Sequence, residues 1–415
     1  DDAGDDDTGD DDTGDDDTSG DDDDSTPPLG PIAADPPPAP VYPEQASIVS
    51  ITLVTADAPF AGTDENSLSL CLTATDCYSL DTVDVNDYER GATDVHHREG
   101  LSLARSAIDR VQIRSVNGVD RYEPSCLAVQ LDGEPVYCSP LSGLLFGEED
   151  DELQSWTDPQ GLHLDCATCF GDVLTHGPMI GAPEPDGARV WGRTDATRLV
   201  GLRVGSTEDL TDSVVVDWVW TSPANDYAAT LQVANLPPDS TWWGALEVDG
   251  VVKGPPRALR TAPPPGAPGL LRFAFGSCSK LDEQPLFADV AATDPDLFLF
   301  AGDNHYGNTG DVDGLRWNYR WSLERPERAA LLATTPTLAT WDDHDYVGNN
   351  TDATSPGRAN ALRVFEEYWA NPSVGTEQIP GVFFPFSYGD VDFFFLDDRY
   401  HRGLDDSILG AAQQQ

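Results

Sequence analysis

The sequence predicts a multidomain protein in which two β-sandwich domains precede an α/β domain. Short runs of β-branched and aromatic residues alternate with Gly, Pro and Asn turns over residues 46–140 and again over 176–262, as is typical of antiparallel sandwiches. From Leu271 to Asn350 the pattern changes, because three short apolar runs separated by helix-like segments each end in residues that titrate or bind metals. Buried strands that alternate with helices indicate an α/β sheet.

Residues 1–45 are expected to form an extended linker. The first 24 residues hold 15 Asp in Asp-Asp-Asp-Thr-Gly repeats, and residues 25–45 are rich in Pro. Like charges repel, and the repeat has no apolar residues for a core; a calcium-binding repeat is the alternative. The segment resembles the stalk that follows the lipidated cysteine of bacterial surface lipoproteins. The chain begins without Met and without a signal peptide, so we expect a removed or omitted leader and anchoring through a missing N-terminal lipid.

The net charge of −51 is extreme. The 15 Asp of the linker leave about −36 for the remainder, in which the only lysines are Lys253 and Lys280. Such acidity resembles the surfaces of halophilic proteins, or it reflects a genome that favours Asp and Arg generally. It argues against binding to nucleic acid or anionic membranes. We therefore expect no nucleic-acid partner, and we expect a monomer.

The seven cysteines divide into six and one. Six precede residue 170: Cys71, Cys77, Cys126, Cys138, Cys166 and Cys169. An even number predicts three disulfides in an oxidising compartment, with the pairing left open. A zinc site is the alternative, but Cys166-x-x-Cys169 has no second close pair. The seventh, Cys278, is predicted to be reduced, and the protein to be secreted or exposed at the cell surface.

The first sandwich is predicted over residues 46–140. Its β-type runs are residues 47–55, 67–73, 109–115 and 126–131. Asn117-Gly118 predicts a hairpin turn, and the adjacent His96-His97, which lack ligand spacing, are predicted to lie on the surface. The segment is faintly similar to PLAT domains, which are sandwiches that dock on lipids or proteins; a plain structural or adhesion sandwich is the alternative.

A connector over residues 141–175, carrying Cys166 and Cys169, leads to the second β domain over 176–262. The strand-like runs of this domain are residues 190–191, 200–204, 214–220, 228–233 and 242–248. Pro and Gly then mark a linker over residues 261–269. The remaining part, 263–415, is the α/β domain.

The α/β domain is predicted to begin with a βαβ unit. Strands are expected over residues 271–275, 297–301 and 337–341, with helices over 285–292, 315–333 and 361–369 and a closing hairpin over 382–387 and 391–396. Ligands on such sheets gather beyond the carboxyl ends of the strands. The three loops that follow the first three strands should therefore meet at one site.

The loops offer ligands for two kinds of metal. Cys278 and Tyr306 are donors that suit a ferric ion, whereas Asp303, Asp343 and Asn349 or Asn350 supply oxygens for Ca²⁺, Mg²⁺ or Mn²⁺. A dinuclear site that shares Asp303 could activate a phosphoryl group and its attacking hydroxide.

His344 could protonate the leaving group or hydrogen-bond the phosphoryl oxygens. Taken singly, a Cys or a Gly-Asp pair after a strand usually serves packing or a turn. Four ionisable residues in a row after a buried strand, over 342–345, would be costly without a metal or a partner.

These motifs carry a family resemblance. Gly276-Ser-Cys278, Gly302-Asp303-x-x-Tyr306 and Trp341-Asp-Asp-His-Asp345 resemble the first metal motifs of PhoD-type alkaline phosphatases and phosphodiesterases, within the metallophosphoesterase superfamily. The resemblance implies a four-layer metallophosphoesterase-like domain preceded by a fibronectin-like domain over 176–262. The chain departs from the family pattern at Asn304-His305, where an aromatic or aliphatic pair is more usual.

By this resemblance, the cofactors would be Fe³⁺ and Ca²⁺, with other divalent metals as alternatives. Cys278, Asp303 and Tyr306 would hold Fe³⁺, Asp303 would bridge, Asp343 would hold Ca²⁺ and His344 would contact the phosphoryl group. The partner would be a phosphate ester, hydrolysed outside the cytoplasm.

The resemblance reaches only the first part of the catalytic domain, because the family's later Asp and His motifs do not appear in residues 263–415. We therefore expect the 415-residue chain to be a weak or inactive enzyme as written. A surface adhesion or docking protein with an inactive or incomplete phosphatase-like domain is the alternative.

Overall fold

The structure is a computed structural model that describes most of the chain after the Asp-rich segment. The described residues are 30–56, 67–80, 93–116, 122–141, 143–146, 153, 155–162, 164, 173–280, 284–403, 407–411 and 413.

The first region is a pair of antiparallel sheets. Its strands are β1 Gln45–Ala46, β2 Val49–Thr55, β3 Ser67–Cys71, β4 Cys77–Ser79, β5 Thr93–Arg98, β6 Leu103–Ala104, β7 Gln112–Val116, β8 Pro124–Leu131, β9 Glu134–Pro140 and β10 Ser155–Thr157. One sheet has the order β10-β7-β3-β4 and the other β5-β2-β8-β9, while β1 pairs with β6. Ile51 and Leu53 of one sheet share a buried core with Leu70 and Ile113 of the other. The four β-type runs predicted here are strands, and β10 comes from the predicted connector.

One expectation for this region is wrong, and another falls outside the described residues. The predicted Asn117-Gly118 hairpin turn lies outside the described ranges. His96 and His97 are buried rather than on the surface. His97 is covered because the face of β5 that carries it packs against the other two regions; its ring nitrogens lie 2.9 Å from Ser50 Oγ and 2.9 Å from Asp226 Oδ1.

Disulfides are present in this region, as predicted. Cys71 and Cys77 are joined across β3 and β4, and Cys126 and Cys138 are also disulfide-bonded. Cys278 is a free, exposed thiol. Cys166 and Cys169 lie outside the described residues.

The second region is also built from two antiparallel sheets. Its strands are β11 Leu174–Glu184, β12 Gly187–Thr194, β13 Leu199–Gly205, β14 Val214–Trp220, β15 Ala228–Val233, β16 Thr241–Val248, β17 Val251–Val252 and β18 Arg257–Arg260. The sheet orders are β11-β12-β15 and β14-β13-β16-β17, with β18 pairing with β16. Alternating apolar residues of β12, β13 and β15 meet in one core. The five runs predicted as strands are confirmed.

The third region carries the α/β pattern. Its elements are β19 Phe273–Gly276, α1 Leu286–Ala292, β20 Leu297–Ala301, α2 Val312–Leu323, α3 Pro326–Leu332, β21 Thr337–Thr340, α4 Asp343–Tyr346, α5 Arg358–Tyr368, β22 Phe384–Tyr388 and β23 Val391–Phe395. The strands β19, β20 and β21 form a parallel sheet in that order, and β22 and β23 form the predicted hairpin.

The single helix predicted over residues 315–333 is instead two helices. Arg325, which precedes Pro326, has an extended backbone with ψ of 119°. A residue before proline is disfavoured in the helical region, and Pro also cannot donate a backbone hydrogen bond. The chain therefore ends α2 and begins α3 with Pro326 in the first turn.

Asp226 joins the three regions. It lies between β14 and β15, is fully buried, and accepts hydrogen bonds from Arg193 Nη2 at 2.9 Å and Arg320 Nη1 at 2.6 Å. Its Oδ1 also lies 2.9 Å from His97 Nε2, and the Tyr368 hydroxyl donates to it. Burial by itself would raise the pKa of Asp226, but the two guanidinium groups outweigh it and hold the pKa well below its usual range.

Further ion pairs reinforce the same junction. Arg98 of the first region lies 2.6 Å from Asp313 of α2, and Glu99 lies 2.6 Å from Arg363 of α5. None of the helices in the described part of the chain is long and apolar enough to cross a membrane.

We predict that Asp226→Asn destabilises the protein by about 3–5 kcal/mol, because it leaves two buried guanidinium groups without their counter-ion. The loss should appear as a lower urea midpoint at neutral pH. The contribution of ionised Asp226 is present above its unfolded pKa of about 3.9 and is lost as the pH falls through the lower folded pKa. The difference between the two proteins should therefore shrink in acid.

Asp294→Asn is the matched control, because Asp294 forms an exposed ion pair with Arg260 at 3.3 Å. It should change stability by no more than about 1 kcal/mol. Equal effects of the two substitutions would contradict the structural role assigned to Asp226.

Candidate metal centre

The loops after β19, β20 and β21 meet at one edge of the sheet, as parallel pairing requires. The backbone N–H of Ser279 donates to the carbonyl of Asp303 at 2.8 Å, and that of Cys278 donates to the carbonyl of Gly302 at 3.1 Å. The backbone N–H of His344 approaches Asp303 Oδ1 at 3.4 Å. The three loops therefore lie together, as the sequence predicted.

Asp303 is the centre of the arrangement. Its Oδ2 accepts a hydrogen bond from the Tyr306 hydroxyl at 2.9 Å and lies 3.7 Å from Cys278 Sγ. Three of the residues predicted as iron ligands are therefore in mutual contact. Partial desolvation, together with the hydrogen bonds to Cys278 and Asp303, raises the pKa of Tyr306 in the metal-free protein.

The backbone of these loops is held in unusual conformations. Cys278 and Asp303 have φ values of 61° and 51°, which are uncommon for residues other than Gly and cluster at functional sites. Gly302, with φ of 97°, passes so close to the next loop that a Cβ there would lie 2.8 Å from the Cβ of Asp342. Glycine is required at this position because two ligand loops cross there.

Asp343 and His344 complete the cluster. Asp303, Asp343 and His344 each offer one ligand atom, and these atoms lie within 4.8 Å of one another. The Tyr306 and His344 rings lie 4.3 Å apart between centroids. Asn350 contacts Asp343 Oδ2 through its backbone N–H at 2.7 Å rather than through its side chain, and Asn349 is exposed with no hydrogen bond to these carboxylates among the described residues.

Asn308 is a residue that the sequence reasoning missed. Its Oδ1 lies 2.5 Å from His344 Nδ1, and its Nδ2 donates to the Tyr306 carbonyl at 2.9 Å. The second bond orients the amide, so Oδ1 is the acceptor and His344 Nδ1 carries the proton. His344 Nε2 is then the nitrogen available to the site, 3.9 Å from Asp343 Oδ1. No sequence motif distinguishes Asn308 from an ordinary turn residue.

The four consecutive ionisable residues at 342–345 have two different roles. Asp342 accepts a hydrogen bond from Arg399 Nε at 2.6 Å. Asp345 is buried and accepts from the backbone N–H groups of Asn304 at 2.9 Å and Asp342 at 2.7 Å, forming a capping box at α4. Burial raises the pKa of Asp345 to about 7. The i, i+3 spacing of Asp342 and Asp345 is the sequence signal that could have predicted the cap.

The donor set fits a metal centre only in part. Cys278, Asp303 and Tyr306 offer sulfur, carboxylate and phenol oxygens at one point, which suits a ferric ion. The guanidinium of Arg399 lies 3.9 Å from Asp343 Oδ2. A Ca²⁺ ion takes six to eight oxygens, and Asp303 and Asp343 provide too few, so this second position needs further ligands.

Comparisons with known proteins address the fold. The sequence matches no protein-family model and no curated protein. Among solved structures, PhoD is similar with a TM-score of 0.51 and 20% identity, over 57% of this chain and 54% of that chain.

The chain therefore has a PhoD-like fold.

It spans about half the length of the PhoD chain that it matches. A purple acid phosphatase from yellow lupin (Lupinus luteus) seeds aligns over 84% of this chain and 60% of that one, with 11% identity and a TM-score of 0.40. The alpha toxin of Clostridium absonum aligns over 28% of this chain and 32% of that one, with 19% identity and a TM-score of 0.24. Scores this low carry no structural conclusion.

The departure of the chain from the PhoD-type pattern lies behind the site. Asn304 and His305 are both completely buried. The Asn304 amide bonds to the Thr340 carbonyl at 2.8 Å, and His305 packs edge-on against Tyr319 of α2 with centroids 4.4 Å apart. The unusual pair therefore belongs to the core beneath the loops that carry the candidate ligands.

We predict that Asp303→Asn weakens Mn²⁺ binding by about 100-fold or more, since even an outer-shell partner is worth about 10- to 100-fold. Isothermal titration at pH 7 measures the change. Asp289→Asn, which alters an exposed carboxylate on α1, is the control and should bind as the parent does. Unchanged affinity in Asp303→Asn would exclude Asp303 as a ligand.

Proposed function

We propose that this protein is an extracytoplasmic, metal-dependent hydrolase of phosphoric monoesters or diesters. The observation that carries the proposal is the contact of Cys278, Asp303 and Tyr306 at the carboxyl edge of a PhoD-like parallel sheet, with Asp343 and His344 beside them. A thiol and a phenol meet at one carboxylate, which an ordinary turn does not require.

Cys278, Asp303 and Tyr306 would hold Fe³⁺, and Asp343, sharing Asp303, would hold Ca²⁺ or another divalent ion. A dinuclear centre, when bound, neutralises phosphoryl oxygens and supplies a nucleophile near neutral pH. Asp303 would serve both positions, because its Oδ2 lies beside Tyr306 and Cys278 and its Oδ1 lies beside the backbone of His344.

His344 would act on the phosphoryl group or the leaving oxygen through Nε2. Asn308 holds the proton on Nδ1, so the protonated ring presents a single donor to the site. The Tyr306 ring packs on the imidazole and restricts its rotation. A donor held in this way can stabilise negative charge on the departing oxygen without reorganisation.

The compartment is inferred from the disulfides. Bonds at Cys71, Cys77, Cys126 and Cys138 suit an oxidising environment. A secreted or surface-anchored enzyme would meet extracellular phosphate esters there, and the acidic Pro-rich segment would be its tether. The lipid anchor itself stays a proposal.

Exposed apolar side chains of the third region support the proposal that further strands complete the domain. Phe273 and Phe275 of β19 are 46% and 72% exposed, and Phe394 and Leu396 at β23 are 73% and 50% exposed. Phe273 packs against Phe393, which lies on the opposite side of β23 from Phe394, so these side chains form two separate patches. Exposed apolar patches mark interaction surfaces.

We predict that Tyr306→Phe abolishes a visible tyrosinate-to-iron band in protein loaded with Fe³⁺, because the phenol oxygen is the chromophoric ligand. Some divalent-ion binding at Asp343 should persist. The absorption spectrum measures the first effect and titration calorimetry the second. Tyr388→Phe, on the half-buried hairpin strand β22, should keep the colour; a coloured Tyr306→Phe protein would remove Tyr306 from the ligand set.

We predict that His344→Asn lowers metal-dependent hydrolysis of p-nitrophenyl phosphate by about 10²- to 10⁴-fold, the usual contribution of a general acid. His401→Asn is the control, because His401 is a half-buried residue whose ring lies 2.6 Å from the Pro380 carbonyl and contacts none of the candidate ligands among the described residues. Equal activity in the parent and in His344→Asn would exclude an acid role.

We predict that adding the remaining strands of a PhoD-like domain, in the same chain or as a separate fragment, raises this hydrolysis by orders of magnitude. It should also reduce the binding of a hydrophobic dye to these exposed patches. If the 415-residue chain alone turns over at about 1–10³ s⁻¹, the site needs no completion and this account of it is wrong.

A further inference from the structure

Residues 30–45, at the end of the predicted linker, lie against both β regions. The Pro43 carbonyl accepts a hydrogen bond from Arg105 Nε of the first region at 2.6 Å, and β1 pairs with β6. Residues 30–37 bond instead to β14 and to the loop after β15 in the second region. Residues 30–43 form neither helix nor strand, so their position depends on these contacts.

Two indole groups hold the segment against β14. Trp218 Nε1 donates to the Ala34 carbonyl at 2.9 Å, and Trp220 Nε1 donates to the Pro37 carbonyl at 3.3 Å. The two tryptophans lie on the same face of the strand, because they are two positions apart. Both are half-buried. A side chain that combines an apolar body with a single donor is typical of binding surfaces.

Two further hydrogen bonds fix the position of the segment along the strand. The Asn235 amide donates to the Gly30 carbonyl at 3.1 Å, and the backbone N–H of Ala34 donates to the Val215 carbonyl at 2.9 Å. Val215 belongs to β14, the end strand of its sheet, so the second bond uses the free edge of that sheet. Among the described residues, three of these four bonds use a carbonyl of the segment and one uses an N–H.

This bonding pattern suits a proline-rich sequence. Pro has no N–H, and the one N–H that the second region uses belongs to Ala34. The prolines at 31 and 36–38 leave the carbonyl groups available as acceptors. Asp35, Pro36 and Pro37 each precede a proline, which favours an extended backbone before binding. A segment that is ordered in advance loses less conformational entropy when it binds.

Gly201 of β13 makes room for the Trp218 ring. Gly201 and Trp218 are paired in neighbouring strands, and a Cβ at position 201 would lie 2.8 Å from two atoms of the ring. Val200 and Leu202, on either side of Gly201, point into the core of the second region, which places Gly201 on the outer face of the sheet. The sheet therefore positions the indole that binds Ala34.

We propose that the outer face and free edge of β14 form a binding site for an extended proline-rich peptide, and that residues 30–38 of this chain are its resident ligand. Apolar side chains of the segment contribute little, since Ile32 is 67% exposed. Recognition depends instead on the carbonyl groups of residues 30, 34 and 37. The bound prolines also protect the edge of β14, because they cannot donate to a further strand.

The test uses the full 415-residue chain and a synthetic, fluorescein-labelled peptide with the sequence of residues 30–40. In the parent, the chain's own segment competes at a local concentration on the order of millimolar. Ala34→Pro removes the single donor of the segment and should free the site. Fluorescence anisotropy should then show that the peptide binds Ala34→Pro at least about fivefold more tightly than the parent.

Ala39→Pro is the matched control. It adds a proline to the same segment at an exposed residue that has no hydrogen bond to β14 among the described residues. The chain's own segment should stay bound in this variant. Ala39→Pro should therefore bind the peptide as weakly as the parent does.

Variants of β14 locate the site. In the Ala34→Pro background, Trp218→Phe and Trp220→Phe together keep two aromatic rings but remove both indole donors, so they should weaken peptide binding by about tenfold or more. Trp242→Phe is the control, because the Trp242 indole donates to Ser240 Oγ at 3.0 Å and not to the segment. Thermal midpoints show which variants are folded.

Hydrogen exchange in the parent keeps the proposal testable if Ala34→Pro does not fold. The amide of Ala34 should exchange at least about tenfold more slowly in the chain than in the free peptide. Equal exchange rates, equal peptide binding by the parent and Ala34→Pro, or binding that survives the loss of both indoles would overturn the proposal. Dimerisation of Ala34→Pro that excess peptide does not reverse would also overturn it, because the free edge would then accept a second copy of the chain.

Discussion

The structure depends on one buried carboxylate, that of Asp226. Its partners come from all three regions: His97 from the first, Arg193 from the second, and Arg320 and Tyr368 from the third. A fully buried carboxylate is tolerated only where cations and hydrogen bonds compensate for its lost hydration. The two arginines do so, and they also favour this junction of the regions, because separating the regions would remove partners from these buried charges.

The orientation of the third region matters because α2 serves two purposes. Arg320 on this helix pairs with Asp226, while Tyr319 beside it packs against His305 beneath the loops of the candidate metal centre. The junction and the candidate metal centre are therefore connected through a single helix. This arrangement explains why β5 of the first region, which lies far from the site in sequence, packs against the region that carries the site.

The candidate centre combines strained loops with a polar interior. Cys278 and Asp303 adopt left-handed backbone conformations, which cost free energy and persist only when their surroundings hold them. The backbone bonds between the two loops and the contacts of Arg328 with Ser279 and Asn304 supply that restraint. The fold thus places the candidate ligands on one face of the loops and the charged side chain of Arg328 on the other.

Local patterns in the sequence were sufficient for the strands, the parallel sheet and the loops that carry Cys278, Asp303 and Tyr306. Short apolar runs and turn residues act between near neighbours, and the carboxyl ends of parallel strands must share one edge. The same reasoning did not predict that the consecutive strands β7 and β8 belong to different sheets, because sheet membership depends on partners distant in the chain. It also failed at Pro326, although the restriction on Arg325 is local and could have been applied.

The tertiary structure alone decided which polar residues are buried and what they contact. The sequence context of His97 predicted a position on the surface. His97 is buried because Asp226, 129 positions further along the chain, packs against it in the folded protein. Arg328 and Asn308 carry no motif, and their importance comes only from the side chains that surround them. The sequence by itself determined where strands end and which ligand types follow, since these are short-range properties. Which polar side chains are buried and which charges are paired was decided by the fold. Both depend on contacts between residues that are far apart in the sequence, and a local pattern of apolar and polar residues does not predict such contacts.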